Sequence, residues 1–336
     1  MTAKKVVAVV GATGQQGGGL ARAILADPAG EFALRAITRN PDSEAAQALR
    51  ERGAEVVKAD SSDEASLRAA FEGADAAYLV TNWAELMDPK AEIDQAHAMA
   101  RAAKAAGVGH AIWSTNDDTR QTIPADDERY PDVLGFKVPH MDAKASADAY
   151  FTEIGVPTTF LRTSFFWDNL ASVMPLRRNE DGTLTLALAI GDSRLSGIAA
   201  ADVGKVVLSI LKRREEFLGR TVSIAGEHLT GTQMAAQFSD VLGQTVTYRP
   251  LSVQSIREAG FYLADDVANM FQFFTEYEDV IVGPRDVSAT RELHPELMTF
   301  ATWAAQNRDR VQAAVAEQNW SQLPLTQYDN DSVARR

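Results

Sequence analysis

The sequence predicts an α/β fold: a Rossmann-type, doubly wound parallel sheet with a smaller mixed α/β C-terminal lobe. Three observations carry this. Short apolar runs alternate with helix-like stretches through the first half of the chain. Those runs are continuous rather than alternating with polar residues, as in strands covered on both faces. A glycine-rich turn, with Gly11, Gly14, Gly17, Gly18 and Gly19, joins the first run to the first helical stretch.

The elements follow in order. KVVAVVGA reads as a strand and GGGLARAILAD as a helix. FALRAITR, SEAAQALRERG, AEVVKAD and DEASLRAAFEG repeat the alternation. DAAYLVTN is a fourth strand, AEIDQAHAMARAAKAAGV a long alanine-rich helix, and HAIWSTN a fifth strand. PHMDAKASADAYFTEIG reads as one helix, with Pro139 in its first turn and Gly155 at its C-terminal cap. PTTFLRTSFF is a sixth strand. Beyond it the pattern is less regular. TLTLALAIGD reads as paired short strands, and AADVGKVVLSILKRREEFLG as a helix. TVSIAGEHLTGTQMAAQFSDVLG reads as a strand, a turn begun by Thr230, and a helix. The division expected is a dinucleotide-binding domain at 1–155, whose sheet regains a strand at 156–165. A substrate or partner lobe at 166–320, with some segments packing on the first domain, and a tail at 321–336 complete it.

Composition narrows the function classes. The chain has 336 residues, a net charge of −13 and no cysteine. The acidic balance disfavours nucleic-acid binding. The lack of cysteine excludes disulfides, thiol nucleophiles and thiolate metal sites. His97, His110, His140, His228 and His294 show no metal-ligand spacing. No G-x-S-x-G motif suggests a hydrolase. With no signal-like N-terminus and no apolar run of membrane-spanning length, a soluble cytoplasmic protein is expected. Self-association into a homo-oligomer is compatible with the sequence.

Gly11, Gly14 and Gly17 fall on a G-x-x-G-x-x-G spacing between a strand and a helix. Such a turn bends tightly, admits a pyrophosphate against bare backbone and lets helix and strand pack closely. The helix N-terminus then offers free N–H groups to the phosphates. Thr13, Gln15 and Gln16 complete this cofactor-binding segment. Gly18 and Gly19 exceed what a phosphate needs and suggest close approach of another segment. The second strand ends in Thr38, Arg39 and Asn40, without the acidic residue that binds a ribose 2′-hydroxyl in NAD sites. With no carboxylate to repel a 2′-phosphate, Arg39 can pair with it, so NADP(H) is preferred over NAD(H). The alternative is a plain surface arginine. Asp60 and Ser61, after the third strand, are placed to meet the adenine edge, while Ser62 or Asp63 caps the next helix. Thr81 and Asn82, after the fourth, are placed to meet cofactor ribose or phosphate.

Together VVGATGQQG, ITRNPDS, VTNW, VPHMDAK, ADVGKVV and TRELHPELMTFATW resemble the NmrA-like family, a branch of the atypical short-chain dehydrogenase/reductases. The resemblance runs from about Val6 to Trp303. It implies an NADP-binding Rossmann domain with a smaller lobe over the nicotinamide end. It also implies either of two activities: reduction of quinones, imines or carbonyls, or cofactor sensing through a protein partner.

Active short-chain reductases use a Tyr-x-x-x-Lys pair on one helix and a preceding serine. By that resemblance the serine is Ser114 and the lysine is Lys144, while the tyrosine position holds His140. Residues four apart share a helix face, so His140 and Lys144 can point into one site. His140 is thus a candidate proton donor, a substrate or partner contact, or a structural residue. A nearby Lys144 ammonium is expected to lower its pKa. Lys144 is expected to bind the nicotinamide ribose. Tyr130, in a loop able to close over the site, and Tyr150 are less well spaced substitutes. Trp83 is expected to wall the nicotinamide pocket. Phe165, Phe166 and Asn169, with Trp167, suit a flat apolar substrate or simply a core. The main expectation is an NADPH-dependent oxidoreductase acting on a small apolar acceptor. The alternatives are a non-catalytic NADP(H) sensor acting through a protein partner, and an interaction protein with a vestigial cofactor site.

Overall fold

The computed structural model describes residues 4–317. The first half builds the expected alternation: β1 (Lys5–Val10), α1 (Gln15–Ala26), β2 (Phe32–Thr38), α2 (Glu44–Glu51), β3 (Glu55–Lys58), α3 (Glu64–Phe71) and β4 (Ala76–Leu79). One short helix, α4 (Trp83–Leu86), precedes the long α5 (Pro89–Ala105) and β5 (His110–Thr115). The central strands β1, β4 and β5 are almost wholly buried, as continuous apolar runs covered on both faces should be, while β3 at the sheet edge has no buried residue.

PHMDAKASADAYFTEIG forms two helices rather than one, α6 (Pro139–Ser146) and α7 (Asp148–Glu153). The ladder tightens at Ala147, whose N–H donates to Lys144 O at 3.1 Å. Asp148 then turns in to accept the indole N–H of Trp113 at 3.0 Å. PTTFLRTSFF is likewise divided into β6 (Thr158–Arg162) and β7 (Phe165–Phe166), which belong to different sheets. The chain leaves the central sheet at Thr163, whose carbonyl accepts from Arg285 Nε and Nη2 at 3.2 and 2.8 Å.

After β8 (Arg177–Arg178), TLTLALAIGD supplies one strand, β9 (Leu184–Leu188), instead of two. Its partners come from elsewhere, β8 antiparallel and β13 (Val246–Pro250) parallel. Between them lie β10 (Arg194–Ile198), α8 (Ala200–Lys212), α9 (Arg214–Phe217), β11 (Thr221–Ser223), β12 (Glu227–Thr230) and α10 (Gly231–Leu242). Thr230 and Gln233 form a reciprocal capping box at the start of α10. Next come α11 (Val253–Glu258), α12 (Ala264–Glu276) and short helices through Ala314. A two-residue strand, β14 (Ala316–Glu317), runs beside β8. The tail expected at 321–336 lies outside the described residues.

The central sheet has seven strands in the order β11-β6-β5-β4-β1-β2-β3, all parallel. The order reverses direction between β1 and β4, the place where open α/β sheets leave a crevice at their strands' carboxyl ends. Two later segments pack on this sheet: β11 extends its edge, and α8 lies along α1.

A glycine of α8 explains that second contact. A Cβ on Gly204 of α8 would stand 2.1 Å from Gly19 C and 2.2 Å from Leu20 N. The two helices therefore meet backbone to backbone at Gly204, and Gly19 faces this contact, where an added Cβ would stand 3.4 Å from Ala200 O. Gly204→Ala must drive α1 and α8 apart. The expected cost is about 1–3 kcal/mol, read as a lower midpoint in denaturant unfolding; an unchanged midpoint would show that the helices can part without cost.

Candidate active site

The glycine turn has the shape a pyrophosphate requires. Gly11 holds φ at +65°, where other residues are strained. A Cβ on Gly17 would lie 2.4 Å from Gly11 O and 2.7 Å from Val10 O, so only glycine lets α1 sit this close to the end of β1. Gly14 caps α1 without a side-chain hydrogen bond, and no acidic residue enters the first turn. The first amides of α1, from Gln15 onward, therefore face outward with neither a side-chain cap nor a repelling charge. Thr13 and Gln15 are exposed beside them. These residues fit a dinucleotide.

The side chain of Gln16 is engaged within the protein. Its side-chain oxygen accepts from Tyr78 at 2.7 Å and from Ser114 at 2.8 Å. It thereby fixes the hydroxyl of Ser114, which lines the cleft at the end of β5.

Arg39 follows β2 directly and is exposed, but both its terminal nitrogens donate to the carboxylate of Glu85 on α4. The expectation that no carboxylate stands at this position is therefore corrected. The acid comes from α4, after β4, rather than from the end of β2, where the sequence motif would carry it. Asp60 is exposed nearby and its charge favours the Arg39 cation. Its side chain accepts from Ser62 N at 2.8 Å, with the half-buried Ser61 between them, while Asp63 caps α3.

Thr81, Glu92 and Lys144 form a closed polar cluster. Lys144 Nζ lies 2.5 Å from Thr81 Oγ1, 3.2 Å from Thr81 O and 2.5 Å from Glu92 Oε1. An ammonium has three donors, so all are engaged. A ribose hydroxyl would have to replace one of these bonds. Glu92, fully buried on α5, was not singled out from sequence; its only signal is an acid inside an alanine-rich apolar face. Asn82 is exposed at the N-terminus of α4 and makes no side-chain cap bond.

His140 opens into the cleft from the first turn of α6. Its Nδ1 lies 2.6 Å from Oδ1 of Asp266, a buried carboxylate on α12. The carboxylate only accepts, so Nδ1 carries the proton and Nε2 is left without a hydrogen bond among the described residues. Burial works against the imidazolium, but the charge and hydrogen bond of Asp266, with Glu92 and Asp142 beyond, raise the pKa above its ordinary value. This reverses the expected lowering by Lys144, whose charge Glu92 already balances. Asp266 was missed because, in sequence, it is one of two acids at a helix start, indistinguishable from a solvated first turn.

Trp83 stands beside His140, ring centroids 6.2 Å apart. Phe165, Phe166 and Asn169 line the cleft together with Met270 and Phe274 of α12. Trp167 instead joins the core of the C-terminal lobe. The cleft encloses about 770 Å³, mouth included. The tyrosine substitutes are elsewhere. Tyr130 is fully buried, and its hydroxyl meets Glu276 at 3.1 Å; burial and that carboxylate raise its pKa. Tyr150 stacks on His97 at 3.9 Å. At the floor, the buried Asp117 and Arg285 form an ion pair that joins β5 to the C-terminal lobe. Among the described residues no group of His, Asp and Glu could hold a metal, and no helix is long and apolar enough to cross a membrane.

The model of the NmrA-like family matches residues 3–304. An NmrA-like family domain-containing oxidoreductase, FrzB of a Cladobotryum species, is 30% identical over 284 residues, covering 80% of this chain and 83% of its own. A second, ptmS of Penicillium ochrochloron, is 29% identical over 304 residues, covering 83% and 86%. Among solved structures, NmrA, a negative transcriptional regulator, shares the fold with a TM-score of 0.77 at 22% identity, covering 95% of this chain and 99% of that one. The NADPH-dependent quinone oxidoreductase QOR2 of Escherichia coli follows at 0.68 and 25%, covering 90% and 99%.

The His140–Asp266 pair makes a testable statement. A pKa raised by Asp266 must fall when that charge is removed. In an NMR pH titration, Asp266→Asn should move the His140 midpoint to lower pH by about one unit or more. An unmoved midpoint would mean that the carboxylate does not hold the proton.

Proposed function

This chain belongs to the NmrA-like family, and on that premise we propose that it is an NADPH-dependent reductase of small apolar C=O, C=N or quinone acceptors. The observation that carries this reading is the His140–Asp266 pair facing a cleft beside the glycine turn, one wall of which is apolar, with Phe165, Phe166, Met270 and Phe274. The nicotinamide, when bound, supplies the hydride. The protein's part is to exclude water with Phe165, Phe166, Met270 and Phe274 and to deliver a proton. His140 imidazolium donates Nε2–H to the acceptor atom that gains charge. The neutral ring stays hydrogen-bonded to Asp266 through Nδ1–H and regains its proton from solvent. Ser114, fixed by Gln16, presents its oxygen to the same cleft. Relatives named oxidoreductases, over most of both chains, agree with this reading.

The test is NADPH consumption followed at 340 nm, a wavelength of the cofactor, with quinones, cyclic imines, aldehydes and no acceptor. Acceptor-dependent turnover is expected. His140→Ala should lower it by about 10²–10⁴ for an aldehyde and less for a quinone, whose reduced anion needs no strong acid. No turnover on any class would overturn the reading.

Cofactor choice follows from Arg39. The 2′-phosphate of NADPH competes with Glu85 for its guanidinium, so Glu85→Gln should tighten NADPH. Breaking an exposed ion pair is worth up to about 1 kcal/mol, hence roughly two- to fivefold, with NADH unchanged. Arg39→Asp should reverse the preference. Fluorescence titrations read both, and unchanged NADPH affinity in Arg39→Asp would remove the basis for NADP(H).

One observation favours a second reading. Arg39 and Lys144, both expected to meet the cofactor, are held by Glu85, Thr81 and Glu92, all within residues 81–92. Cofactor binding must displace bonds of this single segment, as a sensor's signalling element requires. Failure to turn over any acceptor, with NADPH binding retained, would make this the function.

A further inference from the structure

A second recess lies in the C-terminal lobe, behind α12. That helix presents Met270 and Phe274 to the active cleft. It presents Val267 and Phe271, four residues apart, to the recess. The recess opens to solvent, and its lining is apolar except for one residue, Arg177. Arg177 lies on β8 and is 6% exposed, whereas its neighbour Arg178 faces solvent. Among the described residues the guanidinium of Arg177 has no hydrogen-bond or ion-pair partner. The contrast is Arg285, similarly buried, which bonds Asp117, Ile281 O and Thr163 O. Burial without a counter-ion also lowers the pKa of Arg177. A buried cation normally has a partner, because unpaired charge in an apolar setting is strongly unfavourable. An apolar wall around a single cation is the complement of an apolar anion with one charged end.

We propose that this recess is a binding site for a short apolar carboxylate, its headgroup paired with Arg177 and its hydrocarbon body against Leu188, Leu251, Val267 and Phe271. A planar carboxylate meets the guanidinium through two parallel hydrogen bonds, which an alcohol of the same length lacks. The site does not depend on the redox reading. It shares only α12 with the active cleft, and a ligand there bears on the helix that places Asp266.

The test is calorimetric titration of the full chain with octanoate, with octan-1-ol as the uncharged control. Saturable binding of one octanoate per chain is expected, at least tenfold tighter than the alcohol. Arg177→Gln should weaken octanoate by at least tenfold and leave the alcohol unchanged. Ala187→Phe, which fills the recess but keeps the arginine, should abolish both. Equal affinity for acid and alcohol, or undiminished binding in Arg177→Gln, overturns the proposal. Binding that survives Ala187→Phe places octanoate elsewhere and also overturns it. Should Arg177→Gln fail to fold, the Ala187→Phe result decides alone.

Discussion

The hydrogen bond from His140 to Asp266 is the constraint on which the rest of the site depends. It joins a helix of the Rossmann half to a helix of the C-terminal lobe, and a 2.6 Å contact tolerates little error in placing either. The structure meets that demand by stapling the two helices together. Asn269, one turn along α12 from Asp266, donates to Pro131 O at 2.9 Å and to Lys137 O at 2.7 Å, two residues before α6 begins. Arg257 in turn donates to Asn269 at 2.7 Å. The helix that carries the acid and the helix that carries the imidazole thus share one anchor. Tyr130, tied to Glu276 at the far end of α12, completes the fastening.

The opposite side of the cleft is organised by charge within one short stretch. Residues 81–92 carry Thr81 and Glu92, which engage Lys144, and Glu85, which engages Arg39. Trp83, between them, touches the His140 side. Two cations that a dinucleotide would attract are therefore already neutralised by their own chain. A ligand that met both cations would have to exchange one set of partners for another, all of them within residues 81–92.

The first half of the fold was legible because its signals are local. Continuous apolar runs, glycine spacing and caps depend on neighbours in sequence, and Gly11, Gly14 and Gly17 take the geometry that their spacing implies. Gly19 was legible only as a surplus, since the segment that approaches it, at Gly204, lies far along the chain. The expected sixth strand failed at Thr163 because a buried arginine more than a hundred residues later takes its carbonyl. The site was legible where helix periodicity sufficed, as for His140 and Lys144 on one face. Their partners were not. Asp266 and Glu92 are ordinary helical acids until tertiary packing removes water from them, and the sign of the His140 shift turned on these two residues. Glu85 was hidden for the same reason: no acid is expected at the end of β2, and the one that meets Arg39 comes from α4, some forty-five residues later in the chain.

The most direct measurement is the pH profile of kcat/KM with NADPH and an aldehyde acceptor, set beside the His140 titration of the same protein. A proton donor must be charged to act, so the raised pKa of His140 predicts activity retained above the usual histidine range and lost at higher pH. The alkaline limb should coincide with the His140 midpoint and move to lower pH in Asp266→Asn. A profile that is flat through the His140 midpoint, or a limb that Asp266→Asn leaves in place, would contradict the assignment of His140 as the proton donor.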